Sequence, residues 1–375
     1  MAADDPGPSA RSSPGWRTRL ARIAARPGFQ RWAARFPIAR LIAKREGEEL
    51  FDLVQGFVSA QVLFAIVELN LLHRLMDGPL TAGELAQGTG ITPDRMGRLA
   101  QAGAALGLLR RDGADRFGIT RKGAALVGVP GLEQMIRHHD VLYRDLADPV
   151  AFLKGDTDPE LARFWPYVFG AQGAVDPATT ATYSELMAQS QGLVAQDTLA
   201  CVSLQGVTRL LDVGGGTGAF AEAAAEATPG LAVTLFDLPK VIDAARTRLA
   251  GRADRIMLAE GSFRDDPLPG DADAISLIRV LYDHRDDTVR ALLAKCHDAL
   301  PKGGRLIVSE PMSGGARPDP AGDVYFAFYC MAMGTGTVRS QVRIAALCRE
   351  AGFDRVQTPR ARRPFVTSVV IARKN

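Results

Sequence analysis

The chain has 375 residues, 47% of them apolar, which is enough for two or three globular domains with their own hydrophobic cores. Its net charge is only +3, and its four cysteines show no spacing typical of metal ligands, so neither a disulfide framework nor a metal site is expected. No signal peptide is evident, which indicates a reducing, cytoplasmic compartment.

The first 45 residues form a basic leader. Residues 6–45 contain ten arginines or lysines and no acid, whereas residues 46–375 carry a net charge of −5. Large apolar side chains recur among the bases at helical spacing: Trp16, Leu20, Ile23, Trp32, Phe36 and Leu41. Pro27 and Pro37 should break the leader into short helices. The pattern is typical of an amphipathic segment at an anionic membrane surface. A partly disordered arm, or one that packs on a partner subunit, fits it equally well.

A long apolar helix is predicted next, from Glu46 to Arg74, because apolar residues recur there with a helical period. Its longest uncharged run, Leu53 to Val67, has 15 residues, fewer than the roughly 18 to 20 that a membrane-spanning helix needs. We therefore expect this helix to be heavily buried, with part of its surface in a dimer interface.

Residues 81–128 have the pattern of a winged helix. A capped helix begins at Thr81, a second helix follows Thr92, and two short strands flank Asp112. Winged helices also bind DNA in other proteins, but seven bases against four acids make a weak electrostatic footprint here. A DNA-binding regulator is therefore the less favoured alternative, and we expect no nucleic-acid partner.

The C-terminal half alternates strands and helices after Gly206, with short connections and two apparent strands at its end. This order predicts a parallel, doubly wound sheet closed by a terminal hairpin. The preceding residues, 129–200, indicate helices rich in aromatic and methionine side chains. The predicted fold class is therefore α/β, with a mainly helical N-terminal part.

A glycine-rich loop, LLDVGGGTGAF at 210–220, follows the first of these strands. It lacks the Gly-Lys-Ser/Thr ending of a phosphate-binding loop, but Gly214 and Gly216 fit a loose dinucleotide pattern with Asp237 as the ribose-binding acid. Asp212 decides between the two remaining cofactors. A carboxylate at the strand end would repel a pyrophosphate but suit the ammonium and sulfonium charges of S-adenosylmethionine, which is the predicted cofactor.

The chain resembles the two-domain class I S-adenosylmethionine-dependent O-methyltransferases over residues 46–375. The motifs that carry the resemblance are LFAIVELNLLHRL, LTAGELAQGTGI, LLDVGGGTG, LFDLP, AEGSF, LIRVLYDHRDD and LPKGGRLIVSEP. The resemblance implies a winged-helix dimerisation domain over 46–165, a Rossmann-like catalytic domain over 166–375, and a homodimer.

The resemblance also implies a set of cofactor-binding residues. Placed on matching positions of this sequence, they are Asp212, Gly214, Gly216, Asp237, Leu238, Ser262, Phe263 and Arg279. Ser262 and Phe263 would contact the adenine, and the family usually has an aspartate where Ser262 stands.

Two positions depart from the family at the expected catalytic residues. Tyr282 stands where the family usually has its catalytic histidine, and His284 stands where it usually has a tryptophan. Glu310 matches the first of two orienting acids, while the second, near Val338, is missing. The candidates are therefore His284 as general base, Tyr282 as a hydrogen-bonding or relay group, and Glu310 as an orienting acid.

Three further segments, RVLYDHRDD, YFAFYCMAMGTGTVRS and RPFVTSVVIAR, resemble the carotenoid O-methyltransferases of purple photosynthetic bacteria. This resemblance implies methylation of the tertiary 1-hydroxyl of an acyclic hydroxycarotenoid of the demethylspheroidene or hydroxyneurosporene type. A bacteriochlorophyllide or a phenolic natural product is the alternative acceptor. Because a tertiary alcohol is a far weaker acid than a phenol, its proton should leave during or after methyl transfer.

Aromatic and methionine side chains should line the pocket for this lipophilic acceptor. The predicted lining residues are Trp165, Met187, Tyr325, Tyr329 and Met333. We expect His138 and His139 to lie on a helix surface. A lipophilic acceptor would also give the basic leader a role in peripheral contact with the inner, photosynthetic membrane.

Overall fold

The computed structural model describes residues 15–33, 35, 37–164, 191–252, 254–334 and 336–375. These residues divide into two compact units. One comprises the chain up to residue 69 together with 79–118, and the other comprises 70–78 together with 119–375.

The first unit begins with three helices: α1 (Trp16–Ala24), α2 (Pro27–Ala33) and α3 (Pro37–Glu68). Two of them begin at the prolines that were predicted to divide the leader, because a proline's fixed φ suits the first position of a helix. The predicted bounds of the long helix, Glu46 to Arg74, were wrong. The helix starts at Pro37, and the chain turns at Asn70, which has a left-handed backbone (φ 52°), before the short α4 (Leu71–Arg74).

The prediction that this long helix is heavily buried was also wrong for the single chain. Much of its middle is exposed, including Leu50, Phe51, Leu53, Val54, Phe57 and Val58. By length and composition alone, α3 is long and apolar enough over Ala39–Glu68 to cross a membrane. An exposed apolar stripe of this kind is typical of a surface that another protein or a membrane covers.

The winged helix is confirmed. It consists of β1 (Leu80–Thr81), α5 (Ala82–Ala86), α6 (Pro93–Ala105), β2 (Leu109–Arg111) and β3 (Arg116–Ile119), with strand order β1-β3-β2. Thr81 and Glu84 form a reciprocal capping box at the start of α5. Gly103 lets α6 approach α3 closely, since a Cβ there would lie 2.8 Å from the Cδ1 of Ile66.

The second unit contains helices α7 (Arg121–Gly128), α8 (Leu132–Asp145), α9 (Pro149–Lys154) and the helical residues 191–201, which we call α10. Its sheet has seven strands: β4 (Arg209–Val213), β5 (Ala232–Asp237), β6 (Ile256–Glu260), β7 (Ala274–Ile278), β8 (Arg305–Glu310), β9 (Arg355–Gln357) and β10 (Ser368–Arg373). The remaining helices are α11 (Ala219–Ala227), α12 (Pro239–Arg248), α13 (Asp286–Ala299), a π-helix (Pro320–Phe326), α14 (Ala327–Ala332) and α15 (Gln341–Glu350).

The strand order is β6-β5-β4-β7-β8-β10-β9. β4 to β8 are parallel, whereas β10 is antiparallel to both β8 and β9, so the predicted parallel sheet with a terminal hairpin is confirmed. Apolar clusters cover both faces of the sheet. The strand order reverses between β4 and β7, and in open α/β sheets such a switch point opens a ligand crevice at the carboxyl ends of the strands.

Candidate active site

The glycine-rich loop lies at the carboxyl end of β4. Gly214 has a left-handed backbone (φ +68°), and a Cβ there would lie 2.9 Å from a methyl carbon of Val280, so close packing requires a glycine. Gly216 is also left-handed (φ +58°), but a Cβ there would meet no atom of the described chain within 4 Å. The backbone at Gly216 therefore faces open space in which a ligand fits.

Asp212 is the penultimate residue of β4, just before the glycines, and is fully buried. The Ser276 hydroxyl donates to its Oδ1 at 2.6 Å, while its Oδ2 has no hydrogen-bond partner among the residues that the structure describes. Burial raises the pKa of Asp212 to about 7, and the hydrogen bond from Ser276 opposes this rise. A buried carboxylate oxygen without a partner beside an open glycine loop suits a cationic group of a ligand.

Asp237 ends β5, the strand that pairs with β4. Its carboxylate accepts hydrogen bonds from the backbone N–H groups of Gly216, at 2.8 Å, and Leu238, at 2.7 Å. Burial raises its pKa. Because each carboxylate oxygen can accept a second hydrogen bond, Asp237 can hold the loop and still accept hydroxyl groups of a ribose.

The loop after β6 is fixed in place by Lys295, whose Nζ donates to the carbonyls of Phe263, Arg264 and Asp266 at 2.8–2.9 Å. Within it, the Ser262 hydroxyl donates to Asp265 at 2.9 Å. This loop therefore presents Ser262 and Phe263 rigidly at the edge of the crevice.

His284 is nearly buried and contacts this same loop. Its ring lies 5.2 Å from that of Phe263 at an angle of 70°. Its Nδ1 is 3.0 Å from Nη2 of Arg264, and because a guanidinium only donates, Nδ1 accepts and Nε2 carries the proton. Burial, together with the charges of Arg264 and Arg339, lowers the pKa of His284 to about 4. The imidazole is therefore neutral near pH 7, with its accepting nitrogen already occupied.

Tyr282 lies in a short 3₁₀ turn, Leu281–Asp283, after β7. Its Oη accepts from Nη2 of Arg279 at 3.2 Å, and the guanidinium also lies over the phenol ring. The structure thus places Arg279, predicted as a cofactor residue, against Tyr282. Burial raises the pKa of Tyr282 well above its usual value, so the phenol keeps its proton near pH 7.

Glu310 closes β8 and is fully buried. Its Oε2 accepts from the backbone N–H of Tyr282 at 3.1 Å, and its Oε1 has no hydrogen-bond partner within the described part of the chain. Burial raises its pKa to about 7, and the nearby charge of Arg339 opposes the rise. Glu310 therefore contacts the main chain of the turn that carries Tyr282.

Arg339 is a site residue that sequence reasoning missed. Its buried guanidinium donates to the carbonyls of Leu281, at 2.9 Å, and His284, at 2.8 Å, and pairs with Asp286 at 2.8 Å. It thereby fixes both ends of the turn. No spacing in the sequence could have found it, because Leu281, His284 and Asp286 lie more than 50 residues away in the chain.

Three of the predicted pocket residues, Tyr325, Tyr329 and Met333, lie in one apolar cluster with residues of α8 and α9. Trp165 and Met187 lie outside the described residues. The prediction that His138 and His139 lie on a helix surface was wrong. Both are half-buried, and they hydrogen-bond to the hydroxyls of Tyr329, at 3.4 Å, and Tyr325, at 2.9 Å.

Comparisons with known proteins agree with this geometry. Residues 51–128 match an O-methyltransferase dimerisation domain, and residues 143–354 match an O-methyltransferase domain. The chain is 57% identical over 367 residues to demethylspheroidene O-methyltransferase of Cereibacter sphaeroides, covering 97% of each chain. It is 52% identical to the protein of the same name from Rhodobacter capsulatus, covering 96% of this chain and 91% of the relative.

Among solved structures, human N-acetylserotonin methyltransferase in complex with S-adenosylmethionine has a TM-score of 0.72 at 25% identity, covering 88% of this chain and 98% of that one. A mitomycin 7-O-methyltransferase has a TM-score of 0.73, also at 25% identity, covering 91% of this chain and all of that one. The likeness extends over both units.

Proposed function

The chain belongs to the O-methyltransferase family, and we propose that it methylates the tertiary 1-hydroxyl of an acyclic hydroxycarotenoid with S-adenosylmethionine as methyl donor. The choice of acceptor rests on the similarity to two proteins named demethylspheroidene O-methyltransferase, which are 57% and 52% identical to this chain over nearly its full length. The second unit has the class I methyltransferase fold, and the dimerisation domain indicates a homodimer.

The crevice fits S-adenosylmethionine by its own chemistry. Asp212, whose buried Oδ2 accepts no hydrogen bond from the described residues, would attract the positive end of the cofactor, and the backbone at Gly216, which no described atom crowds, leaves room for it. Asp237 would accept the ribose hydroxyls, while Ser262 and Phe263 would contact the adenine. When bound, the cofactor supplies a methyl group on a positively charged sulfur.

Tyr282 is the residue that we propose to contact the acceptor. Its hydroxyl lies between Arg279, which donates to it, and the carboxylate of Asp283, so the phenol is held in one orientation. Glu310 and Arg339 hold the turn around it through the backbone of residues 281–284. Because methyl transfer depends on placing the nucleophilic oxygen in line with the methyl group, this rigid turn serves mainly to position the acceptor.

His284 as general base stays a prediction, and its contacts favour another role. Its accepting nitrogen is occupied by Arg264, and the charges of Arg264 and Arg339 disfavour a proton on the ring. We propose that His284 supports Phe263 at the cofactor side of the crevice.

The experiment is incubation of the purified full chain with radiolabelled S-adenosylmethionine and one of three acceptors: a 1-hydroxycarotenoid, a bacteriochlorophyllide or a catechol. We expect label in the carotenoid alone. Label only in the second or third acceptor would contradict the proposed substrate. Asp212→Asn serves as the negative control, because it removes the charge that the methyl donor requires.

We further propose that the protein is cytoplasmic and contacts the membrane peripherally through residues 1–45. Trp16, Leu20 and Ile23 are exposed on α1 among arginines, and residues 6–45 contain no acid. Apolar side chains beside bases bind anionic lipid surfaces. Co-sedimentation of the full chain with vesicles of anionic phospholipid measures this contact.

The division into a leader over 1–45, a dimerisation domain over 46–165 and a catalytic domain over 166–375 remains our proposal. Limited proteolysis of the full chain, with the fragments identified by mass, tests it. Stable fragments that begin near residues 46 and 166 would support these boundaries, and a protected junction at either place would contradict them.

A further inference from the structure

The proposed reaction requires a group that takes the proton from the acceptor hydroxyl. In the turn after β7, Asp283 is buried, and burial raises the pKa of its carboxyl well above the usual value, which favours the protonated form. Nδ1 of His284 already accepts from Arg264, and its other nitrogen carries a proton. Tyr282 holds its proton because burial raises the pKa of its phenol.

A second pair of imidazoles lies on α8. Nε2 of His139 is 2.9 Å from the hydroxyl oxygen of Tyr325, which is a well-formed hydrogen bond. The two rings lie 5.3 Å apart, and His139 also has an edge contact with Tyr143 at 6.4 Å. In the neutral tautomer of His139 that carries its proton on Nδ1, Nε2 accepts the Tyr325 proton, which leaves the phenolic oxygen able to accept another proton.

Tyr325 belongs to the π-helix Pro320–Phe326, a rare conformation that is frequent at functional sites. Asp319 caps this helix by accepting from the backbone N–H groups of Ala321 and Gly322 at 3.1 and 3.2 Å. The phenol lies in the apolar cluster predicted to form the acceptor pocket. The charge of Arg279 acts on both Tyr325 and Tyr282, so the two phenols lie near the same guanidinium.

The surroundings of His139 keep its imidazole uncharged. Burial lowers its pKa, and burial together with His139 lowers the pKa of the adjacent His138 to about 4. Tyr143 and Tyr325, which contact the His139 ring, both have pKa values raised by burial and are neutral near pH 7. His139 is therefore neutral before the reaction, and in contrast to His284 no cationic side chain contributes to the lowering of its pKa.

We propose that His139 accepts the proton of the acceptor hydroxyl through the hydroxyl of Tyr325, an inference that rests on the proposed function. As the acceptor oxygen bonds to the methyl carbon, its O–H bond breaks and the proton passes to the Tyr325 oxygen. The original Tyr325 proton passes to Nε2 of His139. The electron pair of the methyl–sulfur bond stays on sulfur, and the imidazolium later releases its proton to water.

The test uses His139→Gln, which can still hydrogen-bond to Tyr325 but cannot take a proton, and Tyr325→Phe, which removes the relay. Tyr143→Phe is the matched control, since Tyr143 contacts the same imidazole only through its ring. We expect kcat to fall by about 100-fold in both relay variants and to stay within about threefold in the control. Affinity for S-adenosylhomocysteine, measured by calorimetry, should stay within about twofold in all three variants.

A pH profile of kcat/KM separates proton transfer from a structural role. The acidic limb of the wild-type profile should disappear in His139→Gln. If His139→Gln keeps its kcat, or if the limb persists there and disappears in Glu310→Gln, the proposal is overturned. The measurements use whichever acceptor takes the label, so an error in the carotenoid assignment would leave this test intact.

Discussion

At Asp212, the same buried charge that suits a cationic ligand lowers the stability of the folded protein. In the fully buried site its Oδ2 has no hydrogen-bond partner among the described residues, and burial raises its pKa to about 7. The raised pKa means that the folded state binds more protons than the unfolded chain between about pH 4 and pH 7. The buried charge of Asp212 therefore lowers the free energy of unfolding progressively as pH rises through this window, and the loss is complete above about pH 7.

We predict that Asp212→Asn is more stable than the wild type at pH 8, by about 1–3 kcal/mol without ligand, and about equally stable near pH 4. The amide keeps an oxygen for the Ser276 hydroxyl and removes the buried charge. Denaturant unfolding at both pH values measures this, and calorimetry should show at least 10-fold weaker binding of S-adenosylhomocysteine. Ser276→Ala is the control, because it removes the hydrogen bond and keeps the charge. A loss of stability in the Asn variant at pH 8 would contradict the argument.

Arg339→Met should lower the free energy of unfolding by about 3 kcal/mol and reduce kcat by at least 10-fold. The substitution leaves the carbonyls of Leu281 and His284 without their buried donor and breaks the pair with Asp286. Arg343→Ala is the matched control, since Arg343 pairs with the same carboxylate from a partly exposed position and should cost less than about 1 kcal/mol. Chemical denaturation and steady-state kinetics measure both effects, and equal losses in the two variants would refute the role of Arg339.

The sequence identified residues whose role follows from their place in a local pattern. Asp212 and Asp237 lie at the ends of predicted strands. Because strands that alternate with helices form a parallel sheet, the two carboxylates were expected to lie together at the crevice. Arg339 and His139 lay beyond such reasoning, because their partners are brought near only by the packing of elements distant in the chain. The hydrogen bond between His284 and Arg264 could not be predicted for the same reason.

At the scale of elements, the exposure of α3 differs from the burial that its sequence predicted. Its helical period predicted the helix, and the apolar period predicted burial, yet the structure leaves the middle of the helix exposed. Residues 51–68 of α3 lie within the match to the dimerisation domain. We infer that a partner copy provides the burial of α3 that the apolar period predicted.

Phe57→Glu should convert the homodimer to a monomer. The side chain of Phe57 is 73% exposed on α3, and a carboxylate placed in an apolar interface would lose its hydration without gaining a partner. Sedimentation velocity at micromolar concentration measures the change. Val342→Glu, on α15, is the control because its side chain is equally exposed, at 77%, and lies outside the dimerisation match. A Phe57→Glu variant that sediments as the wild type would show that α3 does not form the interface.

At the scale of the whole molecule, charge is distributed unequally along the chain, although the net charge is only +3. Residues 6–45 contain ten bases and no acid, while residues 46–375 carry −5, so an anionic surface should attract one end of the chain. Each base near such a surface contributes about 1 kcal/mol, and this attraction weakens as salt shortens the Debye length.

The triple change Arg17→Glu, Arg19→Glu and Arg22→Glu should lower partitioning onto anionic vesicles by at least 100-fold, because three attractions of about 1 kcal/mol become repulsions. Raising salt to about 0.5 M should weaken wild-type binding in the same direction. Three exposed arginines outside the leader, Arg317, Arg355 and Arg362, changed to glutamate give the same net charge and should leave partitioning within about threefold. Co-sedimentation measures all three proteins. Equal losses in the two triple variants would mean that net charge, and not the leader, governs the membrane contact.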